Sequence, residues 1–524
     1  MRPVRRETLP VLVANEIRND IDKGTFKPGD KLPTENELCK ILGVGRPTLR
    51  EALRYLEGQQ LIEFKYGEGS YVVDSIQLKK VRTTSLKREV ILELLEYEII
   101  QSEEEGKDVS AQIKKKAKVL MKDGSLEELE RFYFELGSLK QRADFQYIEP
   151  TQIDEILKNA STDHSSSIKI PKDEILVDRL HGAWLGRCVG CIMGKPVEGW
   201  TKQQIESYLK TTGTYPLEDY FVFRSDKTQD SDQSFHPTLR ESTRGHISFA
   251  ARDDDLDYTI LNLKVIKENG FKFTPEDIAE AWLSYLPFKK VYTAERQAYL
   301  NLVNEIEPPA SATYRNPFRE WIGAQIRADI FGYLAPGDAA LAAQLAYKDA
   351  SVSHLKNGIY GEMFIAALIA VAFINDDLEQ MIRIGLSLIP EKSRLHEMIE
   401  NVLTWSKEQK SWKDVWEMVN KEYGKYHWIH VLPNLAFVLI GLIWGGGDFR
   451  KTTTITVMCG SDTDCNGATV GSIIGAMKGK NAIPGTLINP LNDRIKSAVF
   501  GYSDTKISSL AQETVELVES IEQH

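Results

Sequence analysis

The hydrophobic pattern of residues 173–524 is the feature that most restricts the fold of this 524-residue chain. In segment after segment, apolar residues there recur with the spacing of one helical face, and alanine-rich or glycine-containing runs alternate with loops. Runs in which apolar and polar residues alternate, as in half-buried strands, are few. We therefore predict an all-α domain over residues 173–524 and a mainly α fold for the chain.

The charge balance excludes a protein wholly dedicated to nucleic acid. The net charge is −11 and the sequence pI is about 5.5, whereas proteins of that class are usually basic. Any contact with DNA must then come from a local patch. A surplus of carboxylates is, by contrast, suited to binding a divalent cation.

The cysteines and the apolar runs indicate the compartment. The five cysteines lack the spacing of a disulfide framework, which favours a reducing environment. The first residues contain only a very short apolar run, unlike a secretory signal peptide. The longest apolar stretch, residues 363–374, is shorter than the roughly 20 residues that span a bilayer, and it is predicted to be a buried core helix. We expect a cytoplasmic protein with no membrane partner.

Residues 1–76 have the pattern of a small unit built around two helices and a turn. A helical pattern covers residues 11–23, and a turn rich in glycine and proline follows. Thr34 precedes Glu37 by three residues, which is the spacing of a capping box and predicts the start of the next helix. Gly43 ends that helix and supplies the turn to another one.

Two β-rich runs, residues 61–66 and 70–73, follow and are joined by a short glycine-containing loop, which predicts a hairpin. With the segments KPGDKLPTENEL and VGRPTLREALRYLE before it, this region resembles the winged helix-turn-helix of GntR-type bacterial regulators. The resemblance implies binding of double-stranded DNA, with the second helix of the motif in the major groove. Because such readers usually bind two half-sites, it also implies a homodimer.

The residues expected to contact DNA are Asn36, Arg46, Thr48, Arg50 and Gly69. Arginine side chains read guanine edges or hold phosphates, and the glycine lets the wing backbone approach the duplex. Two positions depart from the family, since Asn36 stands where an arginine is usual and Glu68 places an acid in the wing. The alternative is a winged helix that serves only dimerisation or contact with another protein.

Residues 77–172 are charged and mostly helical in pattern, and they carry no cluster of residues with obvious chemistry. We predict a connecting or dimerising helical segment. The polar run STDHSSSIKIP at residues 161–171 is rich in residues that interrupt secondary structure, so it is predicted to be a linker.

Two groups of aspartates in the C-terminal domain suggest a metal site. One group is consecutive and consists of Asp253, Asp254 and Asp255. The other, Asp462 and Asp464, lies in a glycine-flanked turn before a helix rich in small residues. Anions beside apolar helices cost several kcal/mol each unless cations compensate them, and hard divalent cations with oxygen ligands are the natural partners. For the consecutive run alone, the alternative is a solvated helix N-terminus.

Three ordered segments together resemble the ADP-ribosylglycohydrolase family. They contain GKPVE at residues 194–198, DDD at residues 253–255 and GSDTD at residues 460–464, and further matches are NPFREWIGAQIRAD and SVSHLKNGIYGEMFIAAL. The resemblance covers about residues 177–500. It implies an all-α ADP-ribosylglycohydrolase-like domain with two divalent cations, Mg²⁺ or Mn²⁺.

By this resemblance, Asp254, Asp255, Asp462 and Asp464 are expected to be metal ligands. Asp253 and Cys465, which border them, are added as candidate ligands because they offer an oxygen and a sulfur. The catalytic residues are expected to be Glu198, Asp254 and Asp255, with Glu198 either a metal ligand or the acid/base near the scissile bond. The family commonly has threonine before the paired aspartates and after the last one, where this chain has Asp253 and Cys465. Hard metals accept sulfur poorly, so either one metal is bound differently or Cys465 does not coordinate.

The residues expected to contact substrate are Gln325, Arg327, His354 and Gly358. A lone histidine between helices is often structural, and that is the alternative for His354. Gly471 and Gly475 are predicted to pack helices. Four cysteines are predicted to be buried packing residues, with a shared zinc site as the less favoured alternative. They are Cys188, Cys191, Cys459 and Cys465.

The predicted function is metal-dependent hydrolysis of a glycosidic bond at C1″ of an ADP-ribosyl or related nucleoside-type group, coupled to DNA binding. The partner is an ADP-ribose-like small molecule or an ADP-ribosylated substrate. The alternative is a transcription regulator whose C-terminal domain senses an ADP-ribose-like ligand without catalysis. A third interpretation makes the N-terminal unit an assembly element of a plain enzyme.

Overall fold

The structure is a computed structural model that describes residues 13, 14, 16, 17, 20, 25, 26, 30–58, 62–65, 69–72, 87–161, 173–224 and 234–522. The chain divides into two compact units, Met1–Lys87 and Arg88–His524. Most of the helix predicted at residues 11–23, Glu68 in the wing loop and nearly all of the predicted linker lie outside the described residues.

The smaller unit contains the predicted helices and hairpin. Its elements are α1 (Glu35–Leu42), α2 (Arg46–Gly58), β1 (Ile62–Lys65) and β2 (Gly69–Val72). Thr34 and Glu37 form the expected capping box, and Gly43 ends α1 with a left-handed φ of 65°. The strands pair antiparallel, and Ile62 lies opposite Val72. The unit therefore has the predicted arrangement of a helix-turn-helix with a two-stranded wing.

The larger unit is built almost entirely from helices. They are α3 (Arg88–Glu104), α4 (Ala111–Asp123), α5 (Leu126–Gly137), α6 (Ile153–Asn159), α7 (Asp173–Gly194), α8 (Lys202–Thr211), α9 (Asp254–Asn269), α10 (Pro275–Tyr285), α11 (Thr293–Val303), α12 (Ala310–Thr313), α13 (Asp329–Tyr333), α14 (Ala339–Ala350), α15 (Asn357–Ala372), α16 (Leu378–Leu386), α17 (Arg394–Glu408), α18 (Trp412–Tyr423), α19 (Val431–Gly445), α20 (Phe449–Met458), α21 (Thr463–Lys478), α22 (Gly485–Ile488) and α23 (Ile507–Glu522).

Short 3₁₀ helices and one small hairpin complete this unit. The 3₁₀ helices are Lys195–Val197, Pro237–Ser242, Gly270–Lys272, Phe288–Lys290, Gln325–Arg327, Lys480–Ala482 and Asn489–Leu491. The strands β3 (Arg494–Lys496) and β4 (Asp504–Lys506) pair antiparallel. The predicted mainly α fold is confirmed.

Helix α15 lies at the centre of the core. All of its residues are buried, as a helix that is apolar on every side requires. It contains most of the apolar run that was predicted to be a buried core helix, so that prediction is confirmed. Among the described residues, no helix is both long and apolar enough to cross a membrane.

A seam of glycines joins α7 to α21 and positions the segments of the candidate site. Glycines at every fourth residue of α7 lie on one face of the helix and meet glycines of α21. The facing pairs are Gly182 with Gly475, Gly186 with Gly471, and Gly190 with Gly467. A Cβ atom on any of these residues would overlap the opposite backbone. The predicted packing role of Gly471 and Gly475 is confirmed, and the end of α7 is thereby held against the start of α21.

Helices α3 to α6 pack into the larger unit. Arg319, which is buried, pairs with Glu98 and Glu105 of this segment at 2.7 Å in each case. Arg394 pairs with Glu149, also at 2.7 Å. The segment is therefore attached to the C-terminal helices by buried ion pairs, while the domain boundaries predicted at residues 76 and 172 stay predictions.

Candidate metal centre

Two of the predicted motifs are joined by backbone hydrogen bonds. The N–H of Gly199 donates to the carbonyl of Ser461, and the N–H of Ser461 donates to the carbonyl of Trp200, both at 2.9 Å. The hydroxyl of Thr463 donates to the carbonyl of Gly194, the last residue of α7, at 2.8 Å. These bonds hold the GKPVE segment beside the GSDTD turn, although the two are far apart in sequence.

The turn that leads to Asp462 and Asp464 requires a glycine at position 460. Gly460 has a φ of 83°, and Ser461 follows with a φ of 65°. A Cβ atom at Gly460 would lie 2.7 Å from the backbone nitrogen of Lys202. Since L-residues are strained in the left-handed region, glycine relieves the first of these two positions.

Acidic and thiol side chains from three segments converge next to this turn. In each of three groups, one potential ligand atom per residue lies within 4.8 Å of the others. The groups are Glu198 with Asp462 and Asp464, Asp255 with Asp464 and Cys465, and Cys191 with Asp253 and Asp255. Asp464 belongs to the first two groups, so its carboxylate lies where it could bridge two ions.

Burial and mutual repulsion perturb these carboxyl groups strongly. Repulsion from Asp464, followed by burial, raises the pKa of Glu198 to about 9. Burial, followed by repulsion from Asp253, raises the pKa of Asp464 to about 6. Burial also raises the pKa of Asp255 and of Asp462 well above the ordinary value. A bound cation would relieve this repulsion and favour the ionised carboxylates.

Asp255 has a buried oxygen that receives no hydrogen bond from the described part of the chain. Asp255 is 2% exposed, and its Oδ1 has no hydrogen-bond partner there. The nearest cationic atom is Nη2 of Arg187, at 3.9 Å. An unpartnered buried carboxylate oxygen is costly, so it is available to a cation. The donor set and this oxygen together fit a divalent metal.

Asp253 has protein partners at both of its oxygens. Its Oδ1 accepts the N–H of Asp255 at 3.2 Å and so caps α9, while its Oδ2 accepts the ammonium of Lys195. Burial raises the pKa of Asp253, but the charge and hydrogen bond of Lys195, together with the Arg252 charge and the Asp255 N–H, hold that pKa below the ordinary value. The aspartate run does begin a helix, as the alternative proposed, but Asp253 and Asp255 are buried there and not solvated.

Asp254 lies beside the three groups and belongs to none of them. Its side chain is 28% exposed, and Nη1 of Arg252 lies 4.0 Å from its carboxylate. Arg252 also donates to Asp257 at 2.7 Å, and Asp257 accepts the N–H of Ala498 at 2.8 Å. Asp257 is thus engaged by the protein, and the roles expected of Asp254 stay predictions.

Two positioning residues gave no clear signal in the sequence. Arg187 lies fully buried within α7, donates to the carbonyl of Asp255 at 3.0 Å and pairs with Asp329 at 2.6 Å. The amide oxygen of Asn434 accepts the N–H of Asp462 at 3.2 Å and the side chain of Asn466 at 2.8 Å. For Arg187, the one available sequence signal was the presence of a charged residue inside the apolar helix α7.

The four residues expected to bind substrate are all buried in this structure. Arg327 donates to Glu295 at 2.7 Å, and it also pairs with Asp349 and Glu362. Nδ1 of His354 lies 2.8 Å from the hydroxyl of Ser353.

The other two residues of this set, Gln325 and Gly358, are also enclosed by the protein. Both side-chain amide atoms of Gln325 are buried without a partner among the described residues, and a Cβ atom at Gly358 would lie 2.6 Å from the carbonyl of Arg319. The crowding at Gly358 agrees with packing, whereas the amide of Gln325 and Nε2 of His354 are buried polar groups without a partner among the described residues. The substrate contacts and the structural alternative for His354 therefore both stay predictions.

The cysteines do not form one site. Among the described residues, no group of possible metal ligands contains all four cysteines of the larger unit. Cys191 and Cys465 each lie with aspartates, whereas Cys188 and Cys459 are buried outside those groups. This arrangement agrees with the preference for packing over a four-cysteine zinc site.

In the smaller unit, Arg46, Thr48 and Arg50 lie on α2, whereas Asn36 lies at the start of α1 and Gly69 at the start of β2. Asn36 accepts hydrogen bonds from Nε and Nη2 of Arg46, at 3.1 and 2.6 Å. Arg50 pairs with Glu35 at 3.0 Å, and both pairs are on exposed side chains. Thr48 is half-buried, and Gly69 pairs with Lys65 where the wing turns. Contact of these residues with DNA stays a prediction.

Residues 172–523 match the ADP-ribosylglycohydrolase family. The chain belongs to this family. Residues 11–72 match the bacterial regulatory proteins of the gntR family, and a domain of this kind implies DNA binding.

The curated relatives match this ADP-ribosylglycohydrolase-family chain at its N-terminal region. The mannosyl-D-glycerate transport/metabolism system repressor MngR of Escherichia coli is 50% identical over 60 residues, 12% of this chain and 25% of its own length. The Uxu operon regulator of Haemophilus influenzae is 47% identical over 57 residues, 11% and 21% of the two chains. The HTH-type transcriptional regulator Mce2R of Mycobacterium tuberculosis is 39% identical over 74 residues, 14% and 31%. The chain thus spans about a third or less of the length of these relatives.

One solved structure, described as an ADP-ribosylglycohydrolase-related protein complex, is similar to the chain with a TM-score of 0.44 and 19% identity. The match covers 66% of this chain and 99% of that one. Members of the ADP-ribosylglycohydrolase family generally depend on a divalent metal, and the buried acidic groups described above are possible ligands for it.

Proposed function

We propose that this ADP-ribosylglycohydrolase-family chain hydrolyses a glycosidic bond at C1″ of an ADP-ribosyl or related nucleoside-type group and depends on divalent cations. The observation that carries the proposal is the position of Asp464. Its carboxylate belongs both to the group with Glu198 and Asp462 and to the group with Asp255 and Cys465. Two ions that share one carboxylate would form a binuclear centre.

The chain's own residues would hold two cations, Mg²⁺ or Mn²⁺ being the expectation from the family resemblance. When bound, such ions lower the pKa of a coordinated water and stabilise developing negative charge. Asp462 and Asp464 lie at the start of α21, and Asp255 lies in the first turn of α9. Because these ligands lie on buried helices, the helix packing would orient them toward the centre.

Glu198 is the exposed residue of its acidic group, although its carboxylate is partly desolvated where it meets the buried Asp462 and Asp464. Its pKa of about 9 before a cation binds shows how strongly its neighbours favour the protonated form. We assign to it the acid/base role, either taking a proton from water or giving one to the leaving group. A role as a metal ligand remains the alternative for the same carboxylate.

The fused gntR-family domain leads us to propose that this activity is coupled to regulation of transcription. In that arrangement, the metal-dependent domain acts on or responds to an ADP-ribose-like compound, and the N-terminal unit binds double-stranded DNA, as a homodimer by expectation. The ion pair between Lys195 and Asp253 is the observation that favours the second candidate function, a sensor without turnover, because it removes one expected ligand from the metal set.

Calorimetric titration of the full chain with ADP-ribose tests the proposal directly. With Mg²⁺ or Mn²⁺ present we expect binding, and with a chelator we expect its loss. Release of ADP-ribose from ADP-ribosylated proteins, followed by mass spectrometry, then separates an enzyme from a sensor. Asp464→Asn should abolish release, whereas Asp504→Asn, which changes an exposed aspartate paired with Arg494, should leave it unchanged. Absence of ADP-ribose binding in both conditions would contradict the proposal.

Metal-dependent binding of ADP-ribose by a wild-type chain that releases none from any substrate would favour the sensor. In that case Asp464→Asn would lower ligand affinity, and there would be no activity for it to remove.

A further inference from the structure

The two donor groups that share Asp464 differ in their chemistry. Glu198, Asp462 and Asp464 offer oxygen alone. In the other group, Asp255 and Asp464 offer oxygen while Cys465 offers sulfur. Two neighbouring cation positions in the same centre therefore present unlike ligands.

The sulfur of Cys465 points at a carboxylate of this second group. Its thiol donates to Oδ2 of Asp255 at 3.3 Å. Cys465 is 7% exposed and lies in the first turn of α21, next in sequence to Asp464. A cation held by these two aspartates would therefore be within reach of the sulfur.

A second thiol borders the same carboxylate. Cys191, fully buried on α7, lies with Asp253 and Asp255 in a group whose ligand atoms are within 4.8 Å of one another. Asp255 thus has one sulfur on the α21 side and another on the α7 side. Cys191 and Cys465 are not a C-x-x-C pair, because they come from different helices.

The unpartnered oxygen of Asp255 is independent evidence for a ligand at this position. Oδ2 of this carboxylate accepts the Cys465 thiol, but Oδ1 receives no hydrogen bond from the described residues although the residue is 2% exposed. Buried carboxylate oxygens are normally satisfied. A cation at Oδ1 would satisfy it and would lie on the same carboxylate that the sulfur contacts.

The preferences of metals then separate the two positions. Mg²⁺ selects oxygen ligands and near-octahedral geometry, whereas Zn²⁺, Co²⁺ and Fe²⁺ accept thiolate readily. We propose, on the basis of the binuclear centre of the proposed function, that the centre holds two different metals. The position of Asp255, Asp464 and Cys465 takes a thiophilic divalent ion with Cys465 as ligand, and the position of Glu198, Asp462 and Asp464 takes Mg²⁺ or Mn²⁺.

Cobalt is a suitable probe because a thiolate bound to Co²⁺ gives a sulfur-to-metal charge-transfer band in the near ultraviolet. The full chain is stripped of metal and titrated with Co²⁺, and binding is followed by absorption and by calorimetry. We expect the wild-type chain to show this band at saturation. We expect Cys465→Thr, which introduces the residue usual in the family, to lose the band while it still binds Co²⁺.

Matched variants control for the loss of a buried thiol. Cys459→Ser removes a buried cysteine that lies outside all three groups, so it should retain the band. Cys465→Ser is a second, smaller change at the same position for the case in which threonine disturbs folding, which circular dichroism would reveal. In competition with Mg²⁺, we expect Cys465→Thr to lower the preference for Zn²⁺ by about 10-fold or more.

The outcomes are distinguishable from failure of the proposed function. Binding of Co²⁺ without the band, or a band that persists in both Cys465 variants, would overturn the mixed-metal centre and leave an oxygen-ligated centre intact. Absence of any binding of Co²⁺, Mn²⁺ or Mg²⁺ would overturn the metal centre itself, and this inference with it.

Discussion

The ammonium of Lys195 forms an ion pair with the carboxylate of Asp253 inside the acidic centre. Asp253 stands where the family commonly has a neutral threonine, so this chain contains both an additional negative charge and a cation that compensates it. The pair is mostly buried, since the exposed fractions of the two side chains are 20% and 4%. Lys195 therefore acts as a built-in counter-ion within the site.

Lys195→Met should destabilise the chain by about 3 kcal/mol at neutral pH in the absence of divalent cations, because it leaves the Asp253 charge buried without a partner. Addition of Mn²⁺ should recover part of the loss, since a cation can replace the missing charge. Chemical denaturation with and without Mn²⁺ measures both effects. Lys478→Met, which breaks a more exposed pair with Asp376, should cost less than about 1 kcal/mol. Equal losses in the two variants would contradict the role of Lys195.

The affinity for Mg²⁺ or Mn²⁺ should rise with pH. Without metal, the pKa of Asp464 is about 6 and that of Glu198 is about 9, and a cation in their group favours the ionised form of both, whether Glu198 binds the cation or lies beside it. Calorimetry at pH 6, 7, 8 and 9 should therefore show tighter binding and proton release, and Glu198→Gln should remove the dependence above about pH 7. A metal affinity that is constant over this pH range would contradict this prediction.

The same shifts have the opposite consequence for the stability of the metal-free chain. A carboxyl group whose pKa is raised on folding holds its proton more tightly in the folded state, so its favourable contribution is present at low pH and is lost as pH rises through the folded pKa. For Glu198 that loss extends up to about pH 9. The melting temperature of the metal-free chain should fall from pH 5 to pH 9, and Mn²⁺ should reduce the fall.

Arg319→Met should destabilise the larger unit by about 3–5 kcal/mol, because Glu98 and Glu105 would stay buried without their common partner. Denaturation of the full chain, followed by circular dichroism, measures the change. Arg131→Met is the matched control, since it breaks an exposed pair with Glu127 and should cost less than about 1 kcal/mol. A loss as small as that of the control would show that helices α3 to α6 are only loosely attached.

The sequence predicted those features that have a local or periodic signal. The Thr34–Glu37 capping box marked the start of α1, and the apolar run of α15 marked a core helix, because caps and periodicity act over a few residues. The contacts of Lys195 with Asp253, Asn434 with Asp462, and Arg319 with Glu98 join distant segments. Lys195 and Arg319 lie in segments that the sequence singled out, but no local or periodic pattern names the partner of any of these side chains, so only the tertiary fold reveals it.

Arg46→Ala should weaken binding of the full chain to duplex DNA, because its guanidinium is held at the start of α2 by Asn36 and would be positioned to contact a phosphate or a base edge. The affinity for a random-sequence duplex is measured by fluorescence anisotropy at several salt concentrations. If Arg46 contacts a phosphate, the slope of log affinity against log salt should be smaller by about 1 in the variant than in the wild-type chain. Arg131→Ala, in the larger unit, should leave the slope unchanged.

Gly186→Ala should disrupt the seam between α7 and α21, because the added methyl would overlap the carbonyl of Gly471. Overpacking of this kind costs about 1–3 kcal/mol when the helices can separate. Since the seam also sets the distance between the GKPVE segment and the GSDTD turn, the variant should bind Mn²⁺ more weakly than its stability alone explains. Gly137→Ala is the control, because a methyl there meets no atom within 4 Å. Calorimetry at a temperature where both variants are folded separates the two effects, and unchanged Mn²⁺ affinity in Gly186→Ala would show that the seam does not position the centre.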